Sequence, residues 1–463
     1  MQIDSHAIRP DASAAVAQLH ACSELSAGEV PPVGRQDPIL ACSIPITAAA
    51  TAVHQVLAIA LRRLGGVNGP TPQTVDPAHA TAWLRSYRYF GVEGSVPASP
   101  FDSLTGFYAT QDGRYVYCHC NFPHHARGLA RLLGVAQQRA AIAEAIANWR
   151  SQDLEQALAD QGLCGGVVRT SLEWRDHPQS RALSATPLFE LRCVGDAPIA
   201  AHQGEGLTGQ RILDLTRVLA GPTSTRLLAE QGAEVLRITA QHLPDSGYLD
   251  WDTGLGKRNA FLDLRQADDR TALWRLIEKS DVICQAYRPG ALSALGFDPV
   301  RLGAVRPGVV CANLSAYGAV GPWGDRRGYD TVVQSVSGLA LEDSDDGVPR
   351  LMPVQALDYL AGGVLAIAIC TALWRRRQEG GSWVVSTSLA RVARWLADFG
   401  HIARQDWVQA PAEFTAEQLA SWTVELEGPL GRTRHLRSPL PDFGTLVAPR
   451  PLGADSPQWA KRE

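Results

Sequence analysis

A strand–helix–strand pattern starts at Arg211-Ile212-Leu213-Asp214-Leu215, a short apolar run typical of a buried strand. Residues 223–231 follow as a predicted helix, which ends at Gly232. Glu234-Val235-Leu236-Arg237-Ile238 is a second strand of the same kind. Strands that alternate with helices at this spacing predict a parallel sheet that helices cover on both faces.

The alternation continues toward the C-terminus. Residues 267–279 and 298–305 are predicted helices, and residues 281–286 and 309–314 are predicted strands. We therefore predict an α/β fold with a doubly wound, Rossmann-like parallel sheet over residues 203–403. Ligands of such sheets bind at the carboxyl ends of the strands, near the point where the strand order reverses.

The first strand-to-helix turn limits the kind of ligand. Residues 216–222 contain no GxGxxG and no GxxxxGK[ST], so they do not support a dinucleotide site or a P-loop. Other strand ends carry cations, at Lys257-Arg258 and at Arg288. Two interpretations of these cations stay open on spacing alone. They are either solvated loop charges or contacts to a phosphate-bearing ligand.

One acid stands at the start of an apolar helix, in Pro353-Val354-Gln355-Ala356-Leu357-Asp358-Tyr359-Leu360-Ala361-Gly362-Gly363. An Asp at a helix start is often an N-cap, because its oxygens accept free backbone N–H groups. The apolar run 360–374 is shorter than the ~20 residues that span a bilayer, and it predicts a buried helix. The sequence thus leaves Asp358 as either a capping residue or a chemically active carboxylate.

Residues 41–100 are predicted to be a degenerate partial copy of this later region. A helix over 46–63, a strand at 74–76 and a helix over 77–84 repeat the order of elements that residues 372–396 show. An ungapped superposition of the two copies places Pro45 opposite Asp358. The acid is therefore expected once per chain.

Three further segments complete the predicted organisation. Residues 1–40 have the composition of a loosely attached leader, and residues 404–463 that of a Pro-rich tail. Residues 101–200 form a smaller α+β domain, N-terminal to the large sheet, with a hairpin turn at Asp112-Gly113. Its helices are predicted over 126–148 and 151–161.

Composition excludes several classes of function. A net charge of −4 with scattered Lys and Arg gives no nucleic-acid surface. The first residues lack a secretory signal and the nine Cys show no disulfide framework, so we expect a cytoplasmic protein with free thiols and no membrane span. Cys118-His119-Cys120, with His124 and His125 behind it, has no second half-site for a metal. We interpret this segment as structural, predict no metal site, and expect its three His to be non-catalytic.

The order of motifs resembles class III CoA transferases, the family of formyl-CoA and carnitine CoA transferases. The motifs are Leu213-Asp214-Leu215-Thr216-Arg217-Val218-Leu219-Ala220-Gly221-Pro222, Gly256-Lys257-Arg258, Tyr287-Arg288-Pro289-Gly290, Leu295-Gly296-Phe297, Ala316-Tyr317-Gly318 with Gly321-Pro322, Tyr329-Asp330 with Gln334, and Leu357-Asp358 with Gly362. They cover about residues 205–400, and the small domain shows a weaker resemblance.

This resemblance implies a function and a set of site residues. The chain is expected to move CoA between an acyl-CoA thioester and a carboxylic acid, through aspartyl anhydride and thioester intermediates on Asp358. CoA and acyl-CoA are substrates, and no permanently bound cofactor is implied. The implied contacts to CoA are Val218 and Ala220 along its site, with Lys257, Arg258 and Arg288 near its phosphates. The family also suggests a homodimer.

Two departures leave other functions open. The family's acid after the second strand is replaced here by Thr239-Ala240-Gln241, and the small domain normally follows the CoA-binding lobe instead of preceding it. An α-methylacyl-CoA racemase of the same fold is one alternative, but it uses a His before an Asp where this chain has Tyr329-Asp330. A non-catalytic acyl-CoA-binding subunit is the other.

Overall fold

The computed structural model describes residues 12–25, 29, 38–65, 75–94, 101–199, 205–342, 344, 346–440 and 446–461. The helices are α1 Ala12–Cys22, α2 Ile46–Arg63, α3 Pro77–Trp83, α4 Pro123–Leu133, α5 Arg139–Ile146, α6 Ser151–Asp160, α7 Ser171–Asp176, α8 Pro178–Ser184, α9 Ala220–Glu230, α10 Tyr248–Asp252, α11 Ala267–Ile277, α12 Pro299–Val305, α13 Asp330–Val336, α14 Ala356–Glu379, α15 Leu389–Ala397, α16 Arg404–Trp407 and α17 Ala416–Trp422. The strands are β1 Gly91–Val92, β2 Gly106–Ala109, β3 Tyr115–Cys118, β4 Gly165–Val167, β5 Glu190–Gly195, β6 Arg211–Leu215, β7 Glu234–Thr239, β8 Lys257–Phe261, β9 Val282–Gln285, β10 Val310–Ser315, β11 Ser382–Ser388, β12 Thr423–Gly428 and β13 Gly431–Leu436.

A seven-stranded sheet organises the chain, in the order β5-β11-β10-β9-β6-β7-β8. Strands β6 to β11 pair in parallel, and β5 adds an antiparallel edge to β11. The strand order reverses between β6 and β9, because the chain moves outward through β7 and β8 and then returns to the other side of β6. The predicted doubly wound α/β fold is confirmed, and β6 has the predicted limits.

Alternate residues of the strands pack against different helices. On one face Ile212 and Ala312 share a core with α9 and α14. On the other face Leu213 and Cys311 pack with residues of α11 and α12. Burial on both faces is the reason that these strands are continuous apolar runs.

The central helix α14 is longer than the apolar run that predicted it. It has the length and hydropathy of a membrane span, yet that stretch is completely buried within the protein. Helix α14 packs on α9, α2 and β11, so the protein itself covers its apolar surface. The expectation of a buried helix is confirmed. Its last turn, with Arg376 and Arg377, extends past the apolar run to Gly380.

The small domain has its own core and a three-stranded antiparallel sheet, β2-β3-β4. The hairpin at Asp112-Gly113 is confirmed, because Ala109 pairs with Tyr115 across it. The predicted single helix over 126–148 is two helices, since Gly134 adopts a left-handed conformation with φ 70° and ends α4. Strand β5 joins the large sheet, so the small domain ends before the predicted boundary at residue 200.

The segments at both ends of the chain are more ordered than predicted. The expectation of a loosely attached leader is wrong for α1, whose Leu19 is fully buried in the main core; residues 1–11, 26–28 and 30–37 lie outside the described residues. The tail contains the hairpin β12–β13, which pairs with β1. Val75 and Asp76 form no strand, because the Asp76 side chain caps α3; Thr74 is not among the described residues.

Candidate active site

A crevice opens at the carboxyl ends of β6, β9 and β10, where the strand order reverses. It encloses about 420 Å³. Four of the six predicted site residues line it, namely Val218, Ala220, Arg288 and Asp358. The structure therefore brings together residues that lie up to 140 positions apart in the sequence, at the place where such sheets bind ligands.

Asp358 is the third residue of α14 and is not its N-cap. The N-cap is Gln355, whose side chain makes no capping hydrogen bond. Only 7% of Asp358 is exposed, and its backbone N–H donates to Oδ2 of Asp330 at 2.8 Å. The capping residue proposed as an alternative for Asp358 is thus excluded, and its carboxyl group faces the crevice.

Two buried acids set the protonation of this site. Burial raises the pKa of Asp330 to about 7, although Asp330 accepts hydrogen bonds from the Asp358 N–H and from the Gln334 amide. Burial, and then the negative charge of Asp330, raises the pKa of Asp358 well above its usual range. An ionised Asp358 is therefore poorly solvated. A poorly solvated carboxylate is more reactive as a nucleophile toward an electrophilic carbonyl.

The turn before α9 forms the opposite wall. Val218 has φ 70°, a left-handed conformation that costs a β-branched residue energy and that is most often found at functional sites. Helix α9 then begins at Ala220 without a side-chain cap at Leu219. The first backbone N–H groups of a helix have no intrahelical acceptor, so this wall favours partial negative charge on a ligand.

A glycine on α14 makes this arrangement possible. A Cβ added to Gly362 would lie 2.6 Å from the backbone oxygen of Ala220 and 2.9 Å from Thr223. Helices α9 and α14 therefore touch backbone to backbone, one turn after Asp358. This contact fixes the distance between the nucleophile candidate and the Val218 turn.

Lys257 is corrected from a phosphate ligand to a structural residue. It is 1% exposed, and its Nζ donates to Oδ2 of Asp214 at 3.0 Å, to the Pro222 oxygen at 2.8 Å and to Oγ1 of Thr225 at 2.6 Å. These bonds use all three ammonium donors. The pKa of Lys257 is lowered to about 8, chiefly by burial.

Arg258 is also placed away from the crevice. Its Nη1 donates to the Gln458 oxygen at 2.9 Å, and its Nε lies 3.5 Å from Oδ1 of Asp455. The physical reason is the position of β8, which the sequence did not predict as a strand. Because β8 starts at Lys257, this basic pair lies at the amino end of the sheet, opposite the ligand-binding edge.

Arginines that the sequence analysis did not single out surround the crevice. Arg217, Arg326 and Arg327 line it together with Arg288, and among the described lining residues Asp358 is the only acid. Arg326 is tied to the small domain, since its Nη2 donates to Oε1 of Gln156 at 2.8 Å. The sequence did contain a signal for these arginines. Arg217 comes shortly after β6, and Arg326 and Arg327 come directly before Gly328-Tyr329. The crevice is thus strongly cationic around a single buried acid.

The small domain brings three histidines to the same site. His124 and His125 line the crevice, and His119 stacks on Tyr329 with ring centroids 4.1 Å apart. Burial lowers the pKa of His119 to about 3, so its imidazole is neutral at pH 7. The interpretation of this segment as structural did not anticipate this placement, because no local pattern in a strand reports how two domains dock.

A second, smaller cavity of about 50 Å³ lies against Asp358. Val218, Leu219 and Tyr329 line it as they line the crevice, so the two cavities meet at Asp358. Its other walls include Tyr87, Phe101, His119, Asn121, Leu249 and Gln355. Residues upstream of the large sheet therefore complete the site together with residues of the lobe that carries Asp358.

The sequence pattern of CoA-transferase family III matches residues 207–419. Over these residues the chain is similar to CoA-transferase family III. Curated relatives include the acetyl-coenzyme A transferase nodX of Hypoxylon pulicicidum, 28% identical over 71% of this chain and 64% of that protein. A probable fatty acyl-CoA transferase of Mycobacterium tuberculosis, Rv3272, is 32% identical over 42% of this chain and 52% of its own length.

The formyl-CoA:oxalate CoA-transferase of Bradyrhizobium diazoefficiens is 34% identical over 40% of this chain and 46% of that protein. The chain thus spans about half to two thirds of the length of these relatives. A crystal structure of Rv3272 has a TM-score of 0.39 and 34% identity, over 41% of this chain and 56% of that one. The residues that match the family contain Asp358 and the Val218 turn, whereas His119 and Asn121 lie outside them.

Proposed function

We propose that the chain is a CoA transferase, which moves CoA from an acyl-CoA thioester to a carboxylic acid with Asp358 as covalent carrier. The observation that supports this most is the position of Asp358. It is a buried carboxyl group, with a raised pKa, at the inner end of a cationic crevice. The match of residues 207–419 to CoA-transferase family III supports the same class of substrate.

The exchange needs no external acid, base or oxidant. The Asp358 carboxylate attacks the thioester carbonyl and displaces CoA thiolate, which leaves a mixed anhydride. The thiolate attacks the aspartyl carbonyl of that anhydride, which forms an Asp358–CoA thioester and releases the donor acid as its carboxylate. The acceptor carboxylate repeats these two steps in reverse, so the new acyl-CoA leaves and the Asp358 carboxylate is restored.

The crevice supplies binding energy for a polyanionic substrate. Arg288, Arg217, Arg326 and Arg327 are the cations that line it, and guanidinium groups suit phosphate oxygens. The phosphates of CoA take no part in bond making, yet their contacts hold the thioester against Asp358 and lower the entropic part of the barrier. We assign phosphate binding to this set and not to Lys257 or Arg258.

A second candidate is proton exchange at the α-carbon of an acyl-CoA, as in the related racemases. The stacking of His119 on Tyr329 favours it, since this imidazole stands beside the position where a racemase has its His. Burial raises the pKa of Tyr329, which makes the tyrosine itself a poor base. Uptake of deuterium from D₂O at the α-carbon of a branched acyl-CoA would identify this activity.

The transferase proposal is tested by trapping the intermediate. The protein is incubated with acetyl-CoA and hydroxylamine, and the peptide that contains Asp358 is analysed by mass spectrometry. We expect a hydroxamate at Asp358, and none in Asp358→Asn, which should still bind CoA because its crevice is unchanged. CoA exchange without an adduct at Asp358 would contradict the proposal, and CoA binding without exchange would favour a non-catalytic subunit.

We also propose that the protein acts inside the cell, in the cytoplasm. No disulfide joins any of the nine cysteines in the described part of the chain, and seven of them are buried. Free thiols in this number suit a reducing compartment. Fractionation of cells that express the full chain would test this location.

A further inference from the structure

Gln355 is a buried polar side chain without a partner beside the proposed nucleophile. It is the N-cap residue of α14, only 8% of it is exposed, and its side chain makes no capping hydrogen bond. Among the described residues no other group bonds its amide either. A buried amide needs water or a ligand to complete its hydrogen bonds, because burial without a partner costs free energy.

The Gln355 amide opens onto the cavity of about 50 Å³ that Asp358 also lines. Neither amide atom is among the buried side-chain atoms that lack both accessible surface and a partner. Asp358 is the third residue of α14, and side chains at the N-cap and at the third helical position are neighbours at a helix start. No hydrogen bond joins these two side chains, so an atom of a ligand can lie between them.

The Asp330 carboxyl group lines the same cavity but supplies no donor to it. Both of its oxygens accept hydrogen bonds, one from the Asp358 N–H at 2.8 Å and one from the Gln334 amide. A second acid so close to Asp358 disfavours any further negative charge in the cavity. A donor that faces the cavity is therefore needed if negative charge develops there during the reaction.

The proposed transferase function creates such a charge. When the Asp358 carboxylate attacks the thioester carbonyl carbon, one of its oxygens forms the new C–O bond, and the carbonyl π electron pair moves onto the former carbonyl oxygen. This oxyanion is two bonds beyond the attacking oxygen, where a neighbouring donor can meet it. The pair then re-forms the carbonyl as the C–S bond breaks and CoA leaves as its thiolate.

We propose that Gln355 is a catalytic residue, whose side-chain N–H donates a hydrogen bond to the oxyanion that forms when Asp358 attacks the thioester. This role rests on the proposed transferase function. The oxygen carries full charge only in and near the transition state, so Gln355 contributes to kcat and little to the binding of acyl-CoA. The same oxyanion forms in the last step, when thiolate attacks the acceptor's mixed anhydride.

The test measures exchange between labelled acetate and acetyl-CoA in Gln355→Met, which keeps the length of the side chain and removes the donor. We expect kcat to fall about 100- to 1000-fold, KM for acetyl-CoA to change little, and kcat/KM to fall with kcat. Gln355→Glu should lose as much, because a carboxylate only accepts hydrogen bonds. Gln138→Met is the matched control, since Gln138 is an exposed N-cap of α5 that makes no capping bond; its activity should equal that of the wild type.

Stability and binding separate a catalytic role from a structural one. In Gln355→Met the free energy of unfolding and the calorimetric Kd for CoA should stay at their wild-type values, because the amide has no partner in the free protein. Wild-type kcat in Gln355→Met or Gln355→Glu, with the hydroxamate at Asp358 still formed, overturns the role of Gln355 while the transferase function stands. A loss of activity that equally weakened CoA binding or unfolding explains also overturns it. Absence of CoA exchange in the wild type refutes the transferase function, and this role with it.

Discussion

Gly362→Ala should separate the two helices that form the site. Its new Cβ would lie 2.6 Å from the Ala220 oxygen, whereas an ordinary contact needs at least 3.4 Å, so α9 and α14 must move apart by close to 1 Å. We expect overpacking to lower the free energy of unfolding by about 1–3 kcal/mol. The higher helix propensity of Ala relative to Gly should restore about 1 kcal/mol of this loss. A displacement of this size between reacting groups lowers the rate by up to about 100-fold.

Isotope exchange between labelled acetate and acetyl-CoA gives kcat/KM, and urea denaturation gives the free energy of unfolding. Gly363→Ala is the matched control, because its Cβ meets the Val53 side chain on α2 and not α9. We expect both variants to lose stability and Gly362→Ala alone to lose exchange activity. Wild-type kcat/KM in a destabilised Gly362→Ala protein would refute the idea that this helix contact positions Asp358.

Three further substitutions test individual contacts of the site. In Asp330→Asn, the loss of negative charge should lower the pKa of Asp358, so the rise of kcat/KM with increasing pH should move to lower pH; an unchanged pH profile would exclude this coupling. Lys257→Met should lower the free energy of unfolding by about 3–5 kcal/mol, because it leaves Asp214 buried without its partner. The Kd for CoA should stay unchanged. A large loss of CoA affinity would mean that Lys257 does contact CoA. Arg288→Gln should weaken CoA far more than pantetheine, as measured by calorimetry; equal weakening would mean that Arg288 does not contact phosphate.

The parallel sheet was predictable because its strands are buried on both faces. Strand β6 and strand β10 read as continuous apolar runs, and their limits agree with the prediction to within one residue. Strand β8 was missed because it begins with Lys257-Arg258-Asn259. Polar residues are stable there only through partners far along the chain, such as Asp214 for Lys257 and Asp455 for the Asn259 backbone.

The candidate site was predictable where one lobe supplies it. Asp358 and the Val218 turn follow elements whose order the sequence shows, and a parallel sheet brings such turns to one edge. His119 could not be found in this way. Its position depends on the docking of the small domain, and the strand pattern around Cys118 carries no information about that contact.

Part of the wall beside Asp358 is formed by Tyr87, Phe101, His119 and Asn121, which lie far upstream of the lobe that carries Asp358. Substitutions of these four residues can therefore change the surroundings of Asp358 while the lobe's own residues stay the same. Two chains with almost identical lobes could use different acids. Classification of such proteins by the lobe alone would group them by shared chemistry. It would miss differences in the acid that each of them uses.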